Sequence, residues 1–334
     1  MEVGLLMLSE PGRAQEIARR AEAAGFEHLA FGDTQNIGPE AWGQLLLAAG
    51  ASSRIRLGTG VTNPVTRDAA LAASAALALQ VESAGRAFVG IGRGDSALAK
   101  IGRRPEGMHA FERYVRDLRA YLAGEKVRRG AAECAIEWFP SGLPRVPVEV
   151  AATGPRAIEL AGRSADGVIF CVGAEPEVLA RAIDASRAAA RAAGRDPDAL
   201  HLGAFVNCAV DDDVAAARDL ARGGVSVFAR FAGWSRAGDR IEPESHRAAA
   251  RGLRSTYAME RHAQAAGGRG LDDAFLDSFA IVGPAEHAVA RLRRLAAIGL
   301  HSVTIAPGSA GMGWEQGWRS IEAIGRDVIP RVRG

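Results

Sequence analysis

The feature that most restricts this chain is a repeated alternation. Short apolar runs rich in Val, Ile and Leu close on glycine or a polar residue, and each is followed by a stretch with helical apolar spacing. Continuous apolar runs bounded by turn residues mark strands buried on both faces, and their alternation with helices specifies a parallel sheet. Runs at 3–7, 26–31, 54–62, 86–91, 146–151, 167–172, 200–210 and 303–306 read as strands. Helical patterns fall at 11–25, 39–51, 68–84, 108–122, 156–163, 176–193 and 284–298, with a last helix from Trp314. The first carries Ile17, Ala18, Ala21 and Ala24 on one face and stops at Gly25. Residues 96–105 read as irregular and 126–140 as an excursion of hairpin type. Eight such units close naturally into a (β/α)8 TIM barrel; a doubly wound open sheet is the alternative.

The unusual polar and glycine residues fall at the ends of the strand runs: Asp33, the stretch from Thr59 to Asn63, Arg93 to Asp95, Thr153-Gly154, Gly173, Asn207 and Pro307-Gly308. In a barrel those ends converge on the C-terminal face, where the chemistry is done. Residues 228–270, with Gly233-Trp234-Ser235-Arg236 and a helix through 248–264, break the alternation. A long insertion on this side of a barrel reads as a lid or substrate wall, or as an oligomer contact. The expected organisation is thus one domain, 1–334, carrying this insertion. The run ending Gly90-Ile91-Gly92-Arg93-Gly94-Asp95 invites a dinucleotide reading, but its glycine spacing differs from Gly-x-Gly-x-x-Gly. The acid at the right distance, Glu112, lies inside a helical pattern rather than after a second strand.

Composition narrows the class. At 334 residues with 48% apolar and 24% charged side chains, the chain can bury a large core. The net charge of +2 is spread among acids rather than blocked, which argues against a nucleic-acid partner. Cys134, Cys171 and Cys208 are odd in number and far apart, suggesting neither a disulfide framework nor a zinc site and fitting a reducing cytoplasm. Residues 1–8 are apolar but lack a basic leader and cleavage site, and no stretch approaches the length of a membrane span, so neither export nor a membrane partner is expected.

Thr153-Gly154-Pro155 opens a helix, where unpaired backbone N–H groups and the macrodipole favour an anion such as phosphate; it is equally an ordinary helix start with proline in the first turn. Asp33 and Asp95 stand at strand ends where an acid or base would act, although a surface or capping role is the default for any one aspartate. There is no Gly-x-Ser-x-Gly elbow and no His-Glu-x-x-His, and the histidines are scattered. With no nucleophile or metal evident, a bound organic cofactor is the economical source of reactivity.

The succession Gly58-Thr59-Gly60-Val61-Thr62-Asn63-Pro64-Val65-Thr66-Arg67, then 85–96, then Ala151-Ala152-Thr153-Gly154-Pro155, then Ala165-Asp166-Gly167, resembles the bacterial luciferase-like flavin and deazaflavin oxidoreductases. Within them it looks most like the methylenetetrahydromethanopterin reductase-like branch. The resemblance implies a TIM barrel with coenzyme F420 or FMN in its mouth, hydride transfer involving a small organic substrate, and a homodimer. A monooxygenase using reduced FMN is the alternative activity, and a non-catalytic flavin-binding barrel a second. It further implies a cis peptide at Gly60-Val61 in a bulge of the third strand, flanked by Thr59 and Asn63. A phosphate loop is implied at Ala152, Thr153, Gly154 and Pro155, and ring or substrate contacts from Arg93, Gly94 and Asp95. Asp95 and Asp33 are the candidates for the coupled proton. Sugar-phosphate dehydrogenases of this kind have histidine after the second acid; Thr34-Gln35 stands here, against that substrate class.

Overall fold

The structure, a computed structural model, describes residues 1–230, 243–311 and 313–333. The first half alternates without interruption: β1 (Glu2–Met7), α1 (Ala14–Ala23), β2 (His28–Phe31), α2 (Ala41–Ala49), β3 (Arg56–Thr62), α3 (Ala69–Glu82) and β4 (Ala87–Ile91). A short α4 (Ser96–Ala99) and the long α5 (Met108–Leu122) follow, then an antiparallel hairpin of β5 (Val127–Arg129) and β6 (Ala132–Cys134). The second half runs β7 (Val148–Ala152), α6 (Pro155–Ser164), β8 (Gly167–Phe170), α7 (Pro176–Ala192), β9 (His201–Val210) and α8 (Val214–Ala229). After it come α9 (Glu244–Thr256), α10 (Asp273–Phe279), β10 (Ile281–Gly283), α11 (Ala285–Ala297), β11 (Ser302–Ala306), α12 (Trp314–Ala323) and, beyond a π-helical turn, α13 (Ile329–Arg333).

Eight strands close a parallel barrel in the order β1, β2, β3, β4, β7, β8, β9, β11 and back to β1. Each strand is followed by a helix that covers it, and Leu5, Leu29, Leu57, Val89, Val150, Val168, Leu202 and Val303 are buried in one core shared by strands and helices. The barrel and the order of its units are those the alternation implies.

Several details differ. The first helix begins at Ala14, because Gly12 sits at φ +78 in a turn that cannot be helical. A helical turn forms at 96–99 where irregular chain was expected, and α10 and β10 were not foreseen. β10 is three residues long and pairs with the far end of β9, too short to show a period. Residue 228, the expected start of the insertion, lies inside α8. The helix expected through 248–264 instead runs Glu244–Thr256. Residues 231–242 of that stretch, including Gly233-Trp234-Ser235-Arg236, lie outside the described residues.

The N-terminal end of the barrel is plugged by a polar cluster. His28 Nε2 is 2.7 Å from Thr304 Oγ1, and His201 Nδ1 is 2.6 Å from Glu149 Oε1. Burial pushes the His28 imidazole down to about 3. For Glu149 burial acts upward, but the His201 hydrogen bond and charge outweigh it and hold the carboxyl low; His201 is raised in return.

Candidate active site

The C-terminal ends of the strands open into a cavity of about 840 Å³. Of the residues expected there, Asp33, Gly60, Val61, Asn63, Arg93, Gly94, Asp95, Thr153, Gly154 and Pro155 all line it, brought together from β2, β3, β4 and β7. Thr59 and Ala152 do not line it. The Thr59 hydroxyl donates to the Gly90 carbonyl at 2.7 Å, tying β3 to β4, and Ala152 is buried in the barrel core. Both belong to the support beneath the site.

β3 supplies the back wall. The Gly60–Val61 peptide is cis, and the pairing of β3 with β4 shifts between Thr59 and Thr62. Close packing dictates glycine here: a Cβ on Gly60 would lie 2.4 Å from Leu6 Cδ1, and one on Gly90 2.2 Å from the Thr59 carbonyl oxygen. Val61 joins Leu6, Ala151, Ile169, Cys171, Phe205 and Phe228 in an apolar cluster in the barrel mouth. Cys171 is buried there with its thiol pushed up to about 12 by desolvation, so it stays neutral.

On one side the chain offers donors. Gly154 stands at the start of the ten-residue α6, with Pro155 in the first turn, and no side chain caps the helix. A Cβ on Gly154 would meet nothing within 4 Å, and the start of the helix, with Thr153 and Arg156 beside it, lies on the cavity wall. Asn63 Oδ1 accepts from the backbone N–H of Val65 and Thr66, both at 3.1 Å, which fixes the amide. Among the described residues its Nδ2 has no partner although the side chain is buried.

The two acids differ. Asp33 is 2% exposed; its Oδ2 accepts from the Thr62 hydroxyl at 2.7 Å and its Oδ1 from Gln35 Nε2 at 3.0 Å. Burial raises its carboxyl above the ordinary value, outweighing the Thr62 bond and the more distant Arg67 charge. Asp95 instead forms an ion pair with Arg230 at the end of α8. Sequence reasoning missed Thr62, the second residue after the cis bond, and Arg230. Thr62 was within the quoted strand, beside the register shift in β3, and its side chain reaches Asp33. No local signal marks Arg230. Arg93 serves the loop that carries Asp95: its Nε donates to the Glu106 carbonyl at 2.7 Å.

Comparison with known proteins places this geometry. The family model described as luciferase-like monooxygenase matches residues 3–302. The 5,10-methylenetetrahydromethanopterin reductase of Methanolobus tindarius is 31% identical, over 93% of this chain and 94% of its own. The F420-dependent hydroxymycolic acid dehydrogenase of Mycobacterium tuberculosis is 32% identical over 65% of each. Among solved structures, the coenzyme F420-dependent tetrahydromethanopterin reductase of Methanopyrus kandleri superposes with a TM-score of 0.76 at 23% identity, covering 99% of both chains, which establishes the shared barrel fold.

Proposed function

Because the chain belongs to the luciferase-like monooxygenase family, we propose that it is an oxidoreductase which binds coenzyme F420 in the barrel mouth and exchanges hydride with a small organic substrate. The observation that carries the reading is convergence: residues from four separate strand ends surround one cavity of about 840 Å³. The donors present suit a phosphorylated planar ligand. The uncapped start of α6 with Thr153 would take the phosphate, and the unpartnered Asn63 Nδ2 offers a donor to a ring carbonyl. FMN offers the same two features, and an FMN-dependent monooxygenase remains the alternative within the family.

The cofactor would supply hydride chemistry; the chain supplies the surroundings. Leu6, Val61, Cys171, Phe205 and Phe228 exclude water from the mouth. Asp33 is placed to hold or move a proton, since burial raises its carboxyl, and Thr62 and Gln35 fix the direction in which the carboxyl points. We read residues 1–334 as one barrel domain in which the stretch after α8 walls the substrate side. The proposed partner is a second copy of the chain, docked through the adjacent helices α2 and α3, on which Leu46, Leu47, Leu71 and Val81 are each exposed. A cytoplasmic location accords with the three unpaired cysteines. Among the described residues no helix is long and apolar enough to cross a membrane.

The test is a titration of the purified protein with F420 and, in parallel, FMN, followed by absorbance and fluorescence. Saturable binding of F420 tighter than that of FMN is the expected result; preference for FMN would move the assignment to the monooxygenase reading, and binding of neither overturns both.

A further inference from the structure

We infer that Arg230 is a positioning residue for Asp95: from the end of α8 it holds the Asp95 carboxylate at the cavity wall, so that this acid stands as a fixed hydrogen-bond acceptor in the mouth it shares with Asp33. The placement of Asp95 is the first observation. It occupies the N-cap position of α4, where an aspartate ordinarily accepts from the N–H groups of the first turn, yet its side chain makes no capping bond. The carboxylate turns to Arg230 instead. Gly94, at φ +90, sets the backbone for that turn, and a side chain there would strike Leu98 at 2.4 Å.

The seating of Arg230 is the second observation, and it comes from another part of the chain. Its guanidinium carbon lies 4.7 Å from the centre of the Tyr257 ring, and Nη1 approaches Met259 Sδ at 3.6 Å. The Tyr257 hydroxyl is hydrogen-bonded to His262 Nδ1 at 2.5 Å, which stops the ring from turning away. Cation–π contact and a planar donor fork together favour arginine over lysine at such a site. The pair is largely withdrawn from water, with the Arg230 side chain 11% exposed and that of Asp95 22%, so its attraction is weakly screened.

Among the described residues, the titratable and charged groups that act on this cluster are Arg230, Tyr257, His262 and Lys100. His262 is pushed down to about 4 by burial first, then by Arg230 and Lys100, so it is neutral at physiological pH and adds no competing charge. Burial raises Tyr257, which stays a neutral phenol. Among the described residues, the charge paired with Asp95 is the cationic Arg230. Two acids in one mouth are thus given opposite characters by their surroundings: a desolvated carboxyl without a contacting cation, and a carboxylate with one.

What the Asp95 carboxylate is for rests on the proposed function; its control by Arg230 does not, and is measured on protein without cofactor. Aspartate is labelled with 13C at the carboxyl carbon, and the Asp95 resonance is assigned by its loss in Asp95→Asn. Its titration midpoint is then compared in wild type, Arg230→Gln and Arg230→Lys. The expected midpoint in Arg230→Gln is higher than wild type by about one pH unit or more, with Arg230→Lys between the two. Tyr257→Leu, which leaves both charges in place but removes the ring, should move it part of the way. Identical midpoints in wild type, Arg230→Gln and Arg230→Lys overturn the inference. Because these midpoints are read on protein without cofactor, failure of F420 to bind would leave them standing, which separates this result from any failure of the cofactor reading.

Discussion

Replacing Asp33 by Asn should move activity and stability in opposite directions. In the native protein the carboxyl is 2% exposed, and it accepts from Thr62 Oγ1 and Gln35 Nε2. An amide of the same shape keeps both contacts, since its oxygen accepts from Gln35 and its nitrogen donates to the Thr62 hydroxyl. The difference lies in charge. Burial raises the Asp33 carboxyl from its reference value of 3.8, so between the unfolded and folded values the native state binds more protons. Stability therefore falls as pH rises through that window and stays lower above it. Asparagine has no proton to lose, so the variant should match or exceed wild-type stability at neutral pH. The advantage should disappear in acid, below the unfolded value. Turnover should drop by about 100- to 10,000-fold, the usual contribution of a positioned acid. Urea unfolding of the protein without cofactor at a series of pH values reads the first effect. Stopped-flow oxidation of reduced F420 by small carbonyl compounds reads the second. A loss of more than about 1 kcal/mol at neutral pH would show a structural carboxylate, and unchanged turnover would remove Asp33 from the proton chemistry.

Other outcomes follow from the same geometry. Thr153→Val keeps the shape of the α6 approach but deletes a hydroxyl, and should weaken F420 or FMN binding by roughly tenfold in a fluorescence titration without changing the unfolding midpoint. Gly58→Ala places a Cβ 2.3 Å from the Phe88 carbonyl oxygen, a backbone atom that cannot step aside; we expect a loss of about 3 kcal/mol in urea unfolding, and a loss under about 1 would contradict the packing. The Asp166 carboxyl is held down at about 2 against burial by Arg145, Arg119 and the Val148 N–H. Its contribution is present above the unfolded value of 3.8 and lost as pH falls through about 2, so Asp166→Asn should cost ~2 kcal/mol at neutral pH and flatten that acid limb. His28, pushed down to about 3 by burial, binds a proton in the unfolded chain first, so stability should fall as pH drops from 6.5 towards 3. His28→Gln should remove that part of the slope, and an unchanged slope between those limits would show that another group produces it.

How much of this was legible in the sequence depends on the range over which each signal acts. The strands declare themselves because each is buried on both faces and so reads as a continuous apolar run, and the barrel follows from their regular spacing. Helix starts are set by single residues: Gly12 at φ +78 delays α1, and Glu40 begins α2 by accepting from the Gly43 N–H at 2.7 Å. Those local rules shift boundaries by a few residues and leave the topology intact. The site divides in the same way. Asp33, Gly60, Asn63 and Thr153 could be named because a barrel sends all strand ends to one face, so position along the strand was enough. Thr59 and Ala152 were misplaced because they lie just below that face, where a strand residue turns to the ladder or the core. Arg230 had no such cue, since its partner is on a distant loop and its seat is built by Tyr257, Met259 and His262 after α9. Residues that line the cavity stand at the strand ends and can be read from the order of the strands, whereas the partner of Asp95 and its seat come from the end of α8 and the stretch after α9. An insertion can therefore change the chemistry at Asp95 without altering one residue of the loop that carries it.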